Sequence, residues 1–201
     1  MMRSFDVELQ LASQRLMSLV FANRESESNV VIARYTAAVE GNFIAWLGMT
    51  YPWLRHERAR FVVLDNLRCE MRGNHRGMLL RFAENCDAVP DKDEYKYVSQ
   101  SVNKVGSLFG QPTLAGLRGL AVLATLEHLS LVFIPELARR AKGCGCTDFT
   151  YTQTHGAADV AHSIALIEAV GDEMVMGYVS AETVVIEAMR VAEDLVSNIF
   201  S

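Results

Sequence analysis

Much of what would place this chain in a familiar class is missing from it. The opening stretch "MMRSFDVELQLASQRLM" carries acidic residues early and has no continuous apolar run, so it does not read as a signal peptide. The longest apolar stretch, around "LAVLATLEHLSLVFI", is interrupted by Glu127 and His128, which argues against a membrane span. Basic residues are outnumbered: 19 Lys and Arg against 24 Asp and Glu give a formal charge of −5, a poor balance for a nucleic-acid binder. Cysteine is scarce, with four in 201 residues. Cys69 and Cys86 fall in helical patterns, and Cys144 and Cys146 form "GCGC" in a loop. A Cys-x-Cys pair without a second pair nearby is a weak zinc signature, and the thiols read as reduced and structural. There is no internal repeat, low-complexity segment or linker, and half of the residues are hydrophobic. A folded cytoplasmic domain is expected.

What is present is helical periodicity. Apolar residues recur at spacings of three and four in "VELQLASQRLMSLVF" and "VIARYTAAVEGNFIAWLGM", the latter stopped by "YPW". A third run, "ERARFVVLDNLRCEM", is interrupted at Gly73-Asn74 and resumes through "HRGMLLRFAENC", ending before Pro90. "YKYVSQSVNKVGSLF" is a fourth. "TLAGLRGLAVLATLEHLSLVFIPELARRAKG", from Thr113, is a long fifth, closed by Gly143 after a basic last turn. Asp148 is placed to cap a sixth, and "SAETVVIEAMRVAEDLVSNIF" opens on a capping serine as a seventh. "VVLD" and "ETVVIE" are β-branched but lack hairpin punctuation, so no strand is expected. The reading is all-α: one domain over residues 1–201, a bundle of roughly seven helices.

The chemistry gathers in "YTQTHGAADVAH". His155, Asp159 and His162 stand at i, i+4 and i+7, within a narrow arc of one helical face. Small residues separate them, and polar groups on a face that packs inward are costly unless paired or coordinated. Glu127 lies in the middle of the most apolar helix, where a free carboxylate is expensive, while His128 points about 100° away. Glu70 and His75 sit about 140° apart on a straight helix, a poor arrangement that a break at Gly73-Asn74 would repair. Together these are three carboxylates and three imidazoles from three helical runs. Such a set suits two iron or manganese ions better than a thiolate-preferring metal.

The order of these motifs resembles the haem-oxygenase-like di-iron oxidases and oxygenases. Their pattern is a Glu, a His after a short gap, a Glu in a later helix, then His-x3-Asp-x2-His. It appears here as "NLRCEMRGNH", "TLEHLSLVFIPELARR" and "YTQTHGAADVAH". Asn66-Leu67 before the first Glu, Pro135 after the second and an aromatic residue one turn before His155 add to the likeness, which spans about residues 35–170. The Glu70–His75 gap is shorter than usual and lacks a glycine-rich insertion. The resemblance implies a seven-helix haem-oxygenase-like fold without haem, two ferrous ions held by Glu70, His75, Glu127, His155, Asp159 and His162, and dioxygen as co-substrate. It implies a peroxo-di-iron(III) species that oxidises a small substrate by desaturation, C–C cleavage or N-oxygenation. It also implies that the helix bearing His-x3-Asp-x2-His is loosely ordered until metal binds, with which Gly156 is compatible.

Tyr151, the candidate catalytic residue beside the ligands, has two readings: a redox-active or substrate-contacting phenol, or an aromatic that closes the pocket, the commoner role. Arg34, Tyr35 and Trp46 are candidate pocket residues, and Met174 and Met176 read as core. The expected partner is an amino-acid-derived or carboxylate small molecule, with neither nucleic acid nor membrane; a homodimer is compatible. Two other readings stand beside this one. One is a metal-independent relative of the fold, a thiaminase-like hydrolase or quinone-cofactor oxidase, with Cys69 as the one candidate nucleophile. The other is a non-enzymatic helical protein with a degenerate site.

Overall fold

The computed structural model describes residues 2–24, 27–110, 114–177 and 180–201. Among them there are nine α-helices and no strand: α1 (Met2–Ala22), α2 (Ser28–Val39), α3 (Asn42–Thr50), α4 (Glu57–Arg72), α5 (His75–Asn85), α6 (Lys92–Ser107), α7 (Ala115–Gly143), α8 (Thr150–Met174) and α9 (Ala181–Phe200). Short 3₁₀ turns follow α3 and α6. Thr113, the expected start of the fifth helix, lies outside the described residues.

The count exceeds seven because two expected helices are each divided. Gly41 takes a left-handed conformation (φ 75°) between α2 and α3, open to glycine at little cost. Asn74 does the same (φ 51°) between α4 and α5, as asparagine tolerates better than most residues. Helix α6 starts earlier than its apolar pattern suggests because Asp91 and Glu94 form a capping box, the Asp91 side chain accepting from the Asp93 N–H at 2.6 Å. Ser180 is left-handed (φ 59°) and makes no side-chain cap on α9, contrary to expectation. Helix α7 runs through Gly143; the left-handed glycine beyond it is Gly145. Asp148 accepts the Thr150 N–H at 2.9 Å at the start of α8, as its position suggests.

Helix α7 is the axis of the bundle. It packs most extensively on α8 and α9 and also meets α1, α2 and α3. Its length and composition would suffice to cross a bilayer, but 78% of its most apolar window is buried inside the protein. One hydrophobic cluster runs from Phe5 to Phe200. Met174 packs against it, whereas Met176, expected in the core, is exposed.

Two buried ionic groups fix the ends of the helices that carry the site. Arg140 on α7, fully buried, donates to Glu136 at 2.8 Å and to the Asn23 carbonyl at 2.9 Å, tying α7 to the end of α1. Glu173 on α8 accepts the Arg55 and His56 N–H groups, each at 2.9 Å, at the start of α4. A carboxylate there satisfies N–H groups a helix leaves unpaired and meets the positive end of its dipole.

Candidate metal centre

Four helices bring the six candidate ligands together. Glu70 comes from the last turn of α4, His75 from the first residue of α5, Glu127 from mid-α7, and His155, Asp159 and His162 from one face of α8. The break at Gly73-Asn74 achieves what a straight helix would not: His75 Nδ1 lies 2.9 Å from Glu70 Oε1. A Cβ at Gly73 would overlap the His75 ring, so a side chain there would have to displace it.

The six fall into two triads. Glu70, His75 and His155 form one; Glu127, Asp159 and His162 form the other; within each, the ligand atoms lie within 4.8 Å of one another. Asp159 joins them, with Oδ1 3.2 Å from His155 Nδ1. The His75 and His155 rings meet edge to face, centroids 4.7 Å apart. His162 Nδ1 stands 3.6 Å from Glu127 Oε1, long for a hydrogen bond but close for an ion pair. Glu70, His75, Glu127 and Asp159 are all buried, and His155 and His162 nearly so.

Three carboxylates in so small a buried volume repel one another, and burial and charge together displace the proton affinities of three of the six groups. Burial, with Asp159's charge adding to it, pushes the Glu127 carboxyl up to about 7 despite the opposing pull of His162. His162 is raised, chiefly by the facing Glu127 carboxylate. Burial pulls His155 down, but the hydrogen bond and charge of Asp159, with Glu70 and Glu127 behind, outweigh it and leave it raised. Without metal, protons must supply the positive charge this site lacks.

A metal pair fits the residues present. His155 Nε2 is buried and has no hydrogen-bond partner among the described residues. Its other nitrogen faces a carboxylate, the arrangement that orients a metal-bound imidazole. The donors are all nitrogen and oxygen, as iron and manganese prefer.

A cavity of about 60 Å³ opens beside the ligands and is lined by all of them except His162. Tyr151 is buried at its edge, its ring 4.5 Å from that of His155. Its hydroxyl is 2.6 Å from that of Tyr35, and burial raises both phenols far above their usual range, so both stay protonated. Two other expected pocket residues do not line the cavity: Arg34 lies over the Tyr97 ring and donates to the Ser201 carbonyl, and Trp46 is buried in the core. His128 faces away, 3.4 Å from the Ser163 hydroxyl.

The model of a family described as iron-containing redox enzymes matches residues 31–195. The chain belongs to that family. The match takes in all six candidate ligands, and the family is part of the haem-oxygenase-like superfamily to which the motif order points. The all-helical architecture agrees with that fold. No curated protein matches the chain. Membership in the iron-containing redox enzymes supports an oxidoreductase, and the two candidate clusters fit iron.

The sequence did not point to two further cavity residues, Glu40 and Arg76. Their signal was faint: Arg76 directly follows a ligand, and Glu40 directly precedes the glycine that ends α2.

Proposed function

We propose that this chain is a non-haem di-iron oxidase or oxygenase that uses dioxygen to oxidise a small amino-acid-derived or carboxylate metabolite. The observation that carries the reading is the pair of buried nitrogen–oxygen triads sharing one helix and one cavity, with the Nε2 of His155 left without a partner. Glu70, His75 and His155 would hold one ion and Glu127, Asp159 and His162 the other; manganese is the alternative metal. When bound, such a pair supplies two electrons to dioxygen from two one-electron donors.

The chain's own residues do the rest. Asp159 orients His155 through Nδ1, leaving Nε2 for the metal. Glu127 and His162 exchange a proton for a metal charge within one contact. Phe133 and Leu126 wall the cavity, keeping water from the reacting atoms. Tyr151, neutral and bonded to Tyr35, fixes the edge of the cavity over His155. The metal-independent reading finds no comparable support. Cys69 does not line the cavity, and burial followed by the charge of Glu70 raises its thiol, the reverse of what a nucleophile needs.

The test is optical. Metal-free protein is loaded anaerobically with ferrous iron, its iron content measured, and the sample mixed rapidly with dioxygen. The reading expects about two irons per chain, matching the two triads, and a transient broad visible absorption. Asp159→Ala should keep the fold and lose the transient. Full activity after chelation would sink the proposal.

A further inference from the structure

Glu40 and Arg76 pair across the mouth of the cavity, Arg76 Nε donating to Glu40 Oε1. The Arg76 side chain is 61% exposed and that of Glu40 only 14%, so the pair stands between solvent and the site. Only the guanidinium is exposed, so solvent screens this pair from one side. Helix electrostatics do not explain the pair. Glu40 is the C-terminal cap of α2, where a negative charge is unfavourable. Arg76 is in the first turn of α5, where a positive charge is unfavourable. Each charge sits at the helix end that repels it.

The placement makes sense for a third party. The α2 carbonyl end and Glu40 together attract a cation. The N-terminal end of α5 and the Arg76 guanidinium together attract an anion, the latter with two parallel donors that match a carboxylate. The two sites adjoin, since the side chains now satisfy each other. We infer that this pair opens to clamp the head group of a zwitterionic substrate, an α-amino acid, with its ammonium on Glu40 and its carboxylate on Arg76. Exchanging the pair for a zwitterion leaves both charges matched, the carboxylate of Glu40 by an ammonium and the guanidinium of Arg76 by a carboxylate.

The clamp sets how the rest of the molecule lies. Val39, Phe43, Ile44 and Leu79 give the same cavity an apolar wall. The cavity's volume of about 60 Å³ is well short of the roughly 150 Å³ that admits a benzene ring. The side chain that enters is therefore short and aliphatic. With its head group at the rim, its side-chain carbons, rather than Cα, lie towards His75 and His155. Only this last statement, about which carbons react, rests on the metal-centre reading above; the clamp does not.

The test is calorimetric binding to full-length protein loaded with manganese(II), with bound metal counted in the same samples. The probes are L-leucine, 4-methylpentanoate, which lacks the ammonium, 3-methylbutylamine, which lacks the carboxylate, and L-phenylalanine. L-Leucine should bind at least about ten-fold more tightly than each of the other three. Arg76→Ala should weaken L-leucine at least about ten-fold, with Arg76→Lys recovering part of the loss. Glu40→Gln should remove the preference for L-leucine over 4-methylpentanoate. Metal content should be unchanged in all three variants, which separates loss of the clamp from loss of the centre or of the fold. Equal binding of L-leucine and 4-methylpentanoate by the parent protein, or undiminished L-leucine binding by Arg76→Ala, overturns the inference. So does a chain that takes up two metals and binds none of the four, although the metal reading then stands. L-Leucine binding that Arg76→Ala abolishes, in a chain that takes up no metal, upholds the clamp and overturns the metal reading instead.

Discussion

Glu127 stands mid-way along the most buried helix, 5% exposed, with a carboxyl pushed up to about 7 by burial and by Asp159. A carboxyl that holds its proton more tightly in the folded state than in the unfolded one adds stability at low pH. That stability is complete below the unfolded value and drains away as pH rises through about 7. The metal-free protein should therefore weaken between weakly acidic and weakly alkaline pH, and Glu127→Gln should not share that part of the loss. In chelator, the variant should exceed the parent by about 3 kcal/mol at roughly pH 8 and show no such advantage at roughly pH 4. Urea unfolding at the two pH values measures it. An advantage largest in acid would mean that Glu127 is ionised and well paired without metal. The same variant should bind less iron, since it removes a ligand atom from one triad. A residue that destabilises the empty protein and completes the filled one belongs to a binding site rather than to the core.

The connections between elements are tuned as closely as the ligands. Helix α4 must stop and α5 must start within two residues, or His75 would face away from Glu70. Gly73→Ala is helix-compatible in its backbone (φ −71°), so it tests the contact with the ring and not the turn. It should leave secondary structure unchanged by circular dichroism, displace His75 and lower iron content towards one per chain; undiminished iron would show that the ring has room to move. How far all this could be read from sequence follows from the same geometry. His155, Asp159 and His162 were legible because one helix alone determines their common face. Glu70 and His75 were legible only through the break between them, which the sequence marks with Gly73-Asn74. The break also changed the helix count, since an apolar pattern continues across a turn of one left-handed residue. Glu40 and Arg76 were not legible: they stand 36 residues apart, and each looks like an ordinary exposed charge until the packing of α2 on α5 brings them to one rim.

Across the whole molecule, the centre is a fastening among helices that the core does not fasten equally well. Helix α7 is buried along its length, and α9 buries ten side chains against its neighbours. The first half of α8 is different. From Gln153 to His162 its one buried side chain is Asp159, and Val160 is half exposed. Apolar burial, the main stabilising contribution elsewhere, is nearly absent there, and Gly156 further weakens the helix. His155 pairs with Asp159 within the helix, so the ion pair that ties this stretch to another helix among the described residues is His162 with Glu127, between groups whose charges are unbalanced without metal. Cations would correct that imbalance and join this half-helix to α4, α5 and α7 through their ligands. Metal bound to the folded chain alone at one hundred times its dissociation constant stabilises by about 2.7 kcal/mol. For a chain of this size that corresponds to a rise in Tm of about 5–10 °C. Ferrous or manganous ion should produce such a rise, reversed by chelator and diminished in Glu127→Gln. Amide hydrogen exchange should localise it: residues 153–162 should slow on metal loading by a larger factor than any segment of α9, whose anchorage is apolar and complete without metal. Uniform slowing along the chain would instead assign the stabilisation to global folding and leave no special role for the ligand helix.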